Sequence, residues 1–114
     1  MSLPTYQAGS TIALAAPVTW PEDGLPGAGQ PVDLTGAELI EFEVLPPGGA
    51  LLHWPAAAVG LPTAGVVGYT TSTTDCLLAG IWRAQIHVVW PNGNEYRSDP
   101  DLYQWRVKAN LPGA

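Results

Sequence analysis

At 114 residues the chain has room for one domain around one core, expected to span 1–114 without a linker. Ten Asp and Glu against four Lys and Arg give a formal net charge of −6, so no basic stripe exists to neutralise phosphates and nucleic acid is not an expected ligand. Only 12% of residues are charged, about half the usual share, and with five tryptophans this predicts that a partner covers part of the surface.

Thirteen Gly and twelve Pro punctuate short apolar runs, which is how an all-β sandwich or barrel spaces its strands. No apolar run approaches the roughly 20 residues that span a bilayer, so no membrane partner is expected. The opening MSLPTYQAGST has neither the basic region nor the apolar stretch of a signal peptide. Cys76 is alone, so an internal disulfide is excluded, and its expected role is that of a small buried hydrophobe.

In chain order, residues 1–10 read as an extended N-terminal arm, with Pro4 and Gly9 opposing regular structure and Leu3 and Tyr6 available for docking on a neighbour. Thr11 to Val18 reads as a strand with Ile12 and Leu14 on one face and Pro17 at a sheet edge. The Pro- and Gly-rich stretch after it is a loop with Trp20 at its mouth and Leu25 within it. DLTGA, residues 33–37, is a compact turn in which Asp33 and Thr35 bond local amides and Gly36 takes a conformation other residues avoid.

In ELIEFEVL the even positions Ile40, Phe42 and Val44 face a core, and Glu41 and Glu43 face water. Carboxylates at i and i+2 on one face suit acid/base chemistry or a cation, but solvated glutamates on the wet face of a strand are the reading adopted. PPGG then turns the chain into ALLHW. The connection PAAAVGLPTAG is expected to hold a helical turn over Ala56 to Val59, and VVGYTTS forms the next strand. TTDCLLAG reads as a short helical turn whose Leu77 and Leu78 plug the core and whose Gly80 ends it.

The organising stretch is GIWRAQIHVVW, with Trp82, Ala84, Ile86, Val88 and Trp90 apolar at period two. Asn92-Gly93 follows, the dipeptide of a tight type I′ turn, and the chain returns with Tyr103, Trp105, Val107 and Ala109 in phase, after a break at Pro100. His53 and His87 lack a third ligand at zinc spacing, and no Ser or Cys76 has a nucleophile's setting. Both histidines therefore read as structural or surface residues. The DPD of residues 99–101 reads as a solvated turn rather than a Ca²⁺ site. No catalytic residue, cofactor or metal is expected.

Four segments carry a resemblance: YQAGS, VDLTGAELIEFEV, GVVGYTTSTTDCLLAGIWRAQIHVVWPNG and YQWRV. In that order, from about Tyr6 to Val107, they resemble the immunoglobulin-like N-terminal domain of tailed-phage baseplate upper proteins and small stand-alone relatives of it in phage particles. The D-L-T-G-A turn before an alternating strand and the G-x-W strand after a T-x-D-x-x-x-x-G turn contribute most to it. The resemblance implies an immunoglobulin-like antiparallel β-sandwich of about seven strands that joins components of a virion, with no catalytic residues to carry over. The chain departs from the baseplate protein in ending at Ala114 without a coiled coil or receptor-binding connection. A module of this kind fits the tail or baseplate, the neck, or the capsid exterior as a decoration protein.

The expected function is thus that of a non-enzymatic structural component of the virion, in multiple copies on a symmetric assembly with other virion proteins. Its expected partner contacts are Leu3, Tyr6, Trp20, Leu25 and Trp54, with the arm and the 21–31 loop lying along neighbours and residues 110–114 forming a C-terminal tail. The alternative is a carbohydrate-binding or adhesion module, in which Trp20, Trp54 and Trp90 would form an exposed coplanar row that stacks on sugar rings.

Overall fold

A computed structural model describes residues 3–20, 29–99 and 103–110, and its described residues form an all-β sandwich. Nine strands are present among them: β1 (Thr5–Gln7), β2 (Ala13–Pro17), β3 (Leu39–Leu45), β4 (Leu52–Pro55), β5 (Ala57–Ala58), β6 (Val66–Thr70), β7 (Gly80–Val89), β8 (Glu95–Arg97) and β9 (Tyr103–Lys108). The larger sheet has the order β1-β9-β7-β3-β4, with β8 also paired to β7, and the smaller has the order β2-β6-β5. The chain changes sheets between β4 and β5, across Ala56, whose amide donates to the Ile40 carbonyl.

The period-two patterns place the core correctly. Phe42, Val44, Trp82, Ala84, Ile86, Val88, Trp105 and Val107 project inward from the large sheet, and Leu14, Ala16 and Val67 meet them from the small one. Ile40 and Tyr103, expected with them, are half-buried and pack on the rim of that cluster. At the centre Trp82 and Trp105 are register partners on β7 and β9, stacked with centroids 6.0 Å apart, and Trp54 leans on both at 6.1 and 6.3 Å. Offset rings at this spacing add to the area they bury. β2 lies at the edge of its sheet, where Pro17 withholds no needed donor.

Several expectations are corrected. The arm is not an appendage: Thr5–Gln7 is a strand, paired in parallel with Arg106–Lys108, and Ala8 N donates to Lys108 O at 2.9 Å. A three-residue strand between a Pro and a Gly leaves no periodicity to read, because β9 rather than the segment itself specifies it. The pairing also makes the large sheet mixed rather than purely antiparallel. The reversal after Trp90 is a three-residue loop, with Trp90 O accepting from Gly93 N and Trp90 N donating to Asn94 O, both at 2.9 Å. The turn closed by the first of these bonds has Pro91 and Asn92 at its centre, where the Pro91 ring holds φ negative and excludes type I′; Asn92 is not left-handed, and in this loop only Gly93, at φ 89°, is. The return is divided in two, with β8 and β9 pairing with different stretches of β7, His87–Val89 and Gly80–Ala84; Pro100, where the break is expected, lies outside the described residues.

No helical turn forms over Ala56 to Val59, where β5 pairs with β6; a short 3₁₀ turn, Pro62–Ala64, follows instead. Gly65 ends it at φ 68°, and a Cβ there would come within 2.9 Å of the Val18 and Val32 carbonyls, so a close strand crossing requires glycine. Leu77 and Leu78 do not plug the core; they are 57% and 54% exposed, and Cys76, fully buried, takes that place. The turn before them is held by Asp75, whose carboxylate accepts from Ser72 N at 2.7 Å and from the Tyr69 hydroxyl at 2.8 Å.

Burial, then the hydrogen bond to Asp75, pushes Tyr69 up to about 12 from the ordinary 10.0, and burial also raises Tyr96 and Tyr103. A folded value above the unfolded one gives stability that is complete below the unfolded value and lost as pH rises through the folded one. The melting temperature is therefore expected to fall from about pH 10 upward, and the phenolate absorbance to show a late step missing in Tyr69→Phe. Four tyrosines that all titrate at the ordinary value would overturn this.

Candidate functional site

The outer face of the large sheet carries the one group of metal-ligating side chains found among the described residues, namely Glu41, Glu43 and His87. Strand register assembles it. Antiparallel pairing sets Glu41 opposite His87 and Glu43 opposite Gln85 on β7, and Glu43 opposite His53 on β4, while β8 brings Arg97 opposite His87. Odd-numbered positions of all four strands share this face because side chains alternate along each. Glu41, Glu43 and His87 are buried beneath one another and beneath His53 and Arg97, whose side chains are about half exposed.

Here the structure corrects the reading of Glu41 and Glu43 as solvated residues; of the two histidines, read as structural or surface residues, His87 is buried and His53 is exposed. His53 Nδ1 lies 3.2 Å and His87 Nδ1 3.0 Å from the same oxygen, Glu41 Oε1, and His87 Nε2 lies 2.8 Å from Glu95 Oε1. Glu43 Oε1 accepts from Gln85 Nε2 at 2.9 Å and from Arg97 Nε at 3.2 Å; its Oε2 is 4.0 Å from His53 Nδ1. Burial pushes the Glu41 carboxyl up, but hydrogen bonds from His87 and His53 outweigh it and hold the group below the usual carboxylate range. His87 feels the converse: burial lowers it, and the hydrogen bonds to Glu41 and Glu95 carry it above the usual imidazole value. The His87 hydrogen bond in turn lowers Glu95. Beside the cluster a hollow of about 110 Å³ is lined by Glu43, Leu45, Leu51, Arg83 and Gln85.

The expected partner contacts are dispersed. Leu3 is half-buried, and Tyr6 packs against the core from β1. Trp20 is 38% exposed and caps one end of the sandwich, edge-on to Tyr96 at 5.1 Å, whose hydroxyl donates to Thr19 O. Trp54 is corrected: it is buried and stacked on Tyr69 at 5.2 Å, so it offers a partner nothing. Leu25, with most of the 21–31 loop, residues 111–114 and Pro100-Asp101, lies outside the described residues. What sequence reasoning missed is the exposed aliphatic set of Leu51, Leu52, Val59, Leu61, Leu77, Leu78 and Ile81, which joins Leu39 at the surface.

Cys76 fits its expected role. Burial pushes its thiol up to about 11, which keeps it protonated and unreactive at neutral pH. Comparison with known proteins adds no relative: no family model, curated protein or solved structure matches the chain.

Proposed function

We propose that the chain is a non-enzymatic structural module of a phage virion, acting through contacts with other virion proteins in several copies on a symmetric assembly. Its kinship would be with the immunoglobulin-like baseplate domain it resembles, in the tail or baseplate, the neck, or as a capsid decoration protein. The observation that carries the reading is the surface. Nine large hydrophobic side chains are exposed among the described residues, led by Leu61 at 73% and Leu77 at 57%, and supply apolar surface for a partner to cover. Weak apolar contacts of this kind gain strength when the same pair of surfaces meets repeatedly around a symmetric lattice.

The sugar-binding alternative needs a row of outward rings. Trp54, Trp82 and Trp105 are buried, Trp90 is half-buried, and Trp20 stands apart against Tyr96, an arrangement that favours assembly.

The test is biochemical. In gradient-purified particles of a phage that encodes this chain, quantitative mass spectrometry is expected to find it in a fixed ratio to the major shell or tail protein. The pair Leu61→Asp and Leu77→Asp should melt like the parent and lose most of that incorporation. Recovery of the chain only in the particle-free fraction would sink the reading.

A further inference from the structure

We propose that the outer face of the large sheet binds one divalent transition-metal ion of the zinc class, ligated by His53 Nδ1, His87 Nδ1 and the carboxylates of Glu41 and Glu43. The inference is independent of the virion reading and rests on how the donors are aimed.

Both imidazoles point Nδ1 at Glu41 Oε1, at 3.2 and 3.0 Å, from strands on opposite sides of β3. Glu95 meets the far nitrogen of His87 at 2.8 Å. Carboxylates only accept, so without metal the ring donates from both nitrogens; a metal ion binding at Nδ1 would displace the proton there, while Nε2–H goes on donating to Glu95. A histidine that ligates through one nitrogen and donates its other N–H to a carboxylate is the usual outer-sphere arrangement of protein zinc sites, and Glu95 occupies that position here.

The remaining carboxylate is also prepared. Gln85 and Arg97 hold Glu43 Oε1, which turns Oε2 inward to 4.0 Å from His53 Nδ1. Zinc–nitrogen and zinc–oxygen bonds of about 2.0–2.1 Å put neighbouring tetrahedral donors about 3.3 Å apart. The separations of 3.0, 3.2 and 4.0 Å straddle that edge, and the donors of Glu41, Glu43 and His87 all lie within 4.8 Å of one another. His53 Nδ1 stands outside that group of three, beside Glu41 and Glu43, and its ring would turn towards them to complete the shell. Two carboxylates neutralise a dication, and two imidazole nitrogens select against Ca²⁺ and Mg²⁺, which take oxygen shells of six or more. The exposed ring of His53 provides the entry path into an otherwise buried group. Once bound, the ion would tie the edge strand β4 to β3 and β7.

The experiment uses the untagged full chain, dialysed against chelator, and zinc chloride alone as the probe. Calorimetry is expected to show one ion per chain, with a melting temperature that rises with zinc, and Co²⁺ should give the intense visible bands of a tetrahedral site. His53→Ala, at an exposed position, should melt like the parent without metal and bind zinc at least about tenfold more weakly; Glu95→Gln should cost about 10–100-fold. Absence of heat and of any melting shift at millimolar zinc would overturn the proposal. So would binding of parental strength in both His53→Ala and His87→Ala, which would place the ion elsewhere.

Discussion

Trp105→Ala should lower the melting temperature by roughly 10–20 °C, the equivalent of about 3–5 kcal/mol in a domain of this size. Trp105 has no exposed surface; it stacks on Trp82 at 6.0 Å with planes 19° apart, meets Trp54 at 6.3 Å, and receives the edge of Tyr103 at 5.8 Å. Truncation therefore opens a cavity bounded by three other rings, which backbone paired on both sides cannot collapse to fill. The loss would be a large share of the about 5–15 kcal/mol that holds such a domain together. A control separates ring from polar atom. The Trp105 indole N–H meets no oxygen or nitrogen acceptor and has only the Cys76 sulfur beside it, so Trp105→Phe gives up at most a weak N–H···S contact along with part of the ring and should lose less than half as much. Thermal melts of both variants check this, and an alanine variant that melts with the parent would show that the ring cluster does not organise the core.

The core was legible in the sequence because each long strand carries its own period. Phe42 and Val44, Trp82 to Val88, and Trp105 and Val107 alternate over enough positions for a local pattern to name the buried face. The same alternation misled on the opposite face. Glu41 and Glu43 are out of phase with the core, which sequence equates with water, yet each lies opposite a long polar side chain of β7 and under a second from β4 or β8. Burial there is a property of four strands in register. Sequence offered one usable signal: Glu41, Glu43, His53, Gln85 and His87 each alternate with the apolar residues of their own strand, so a register that buries those apolar sets in one core puts all five on the opposite face. Leu77 and Leu78 failed for a different reason. A short passage from the small sheet to the large one points one side chain inward, and Cys76, whose carbonyl also accepts from Gly9 N at 3.0 Å, is the residue so placed.

Deletion of residues 1–8 is expected to destabilise the domain itself, by roughly 2–4 kcal/mol, rather than only to remove a docking arm. The reason lies in the ladder. Arg106 N donates to Pro4 O at 2.8 Å and Ala8 N donates to Lys108 O at 2.9 Å, so Thr5–Gln7 is bracketed by bonds to β9 at both ends. Tyr6 and Ala8 pack on the core from this strand, and Asn110 Nδ2 donates to Ala8 O at 3.0 Å, tying the end of the described chain to its beginning. Without β1, β9 becomes the sheet edge and its unpaired backbone groups face solvent. Arg106 and Lys108 would then guard that edge against pairing with another chain, so the shortened protein should melt lower yet remain dispersed in low salt. Tyr6→Ala should reproduce part of the loss with the backbone ladder intact. Melting of the deletion variant together with the parent would restore the docking-arm reading and remove β1 from the fold's stabilising elements. On the proposed virion reading, a lower melting temperature would trace poor incorporation of a truncated chain to a weakened sandwich, and leave the exposed Leu61, Leu77 and Leu78 as the surface to test for contacts.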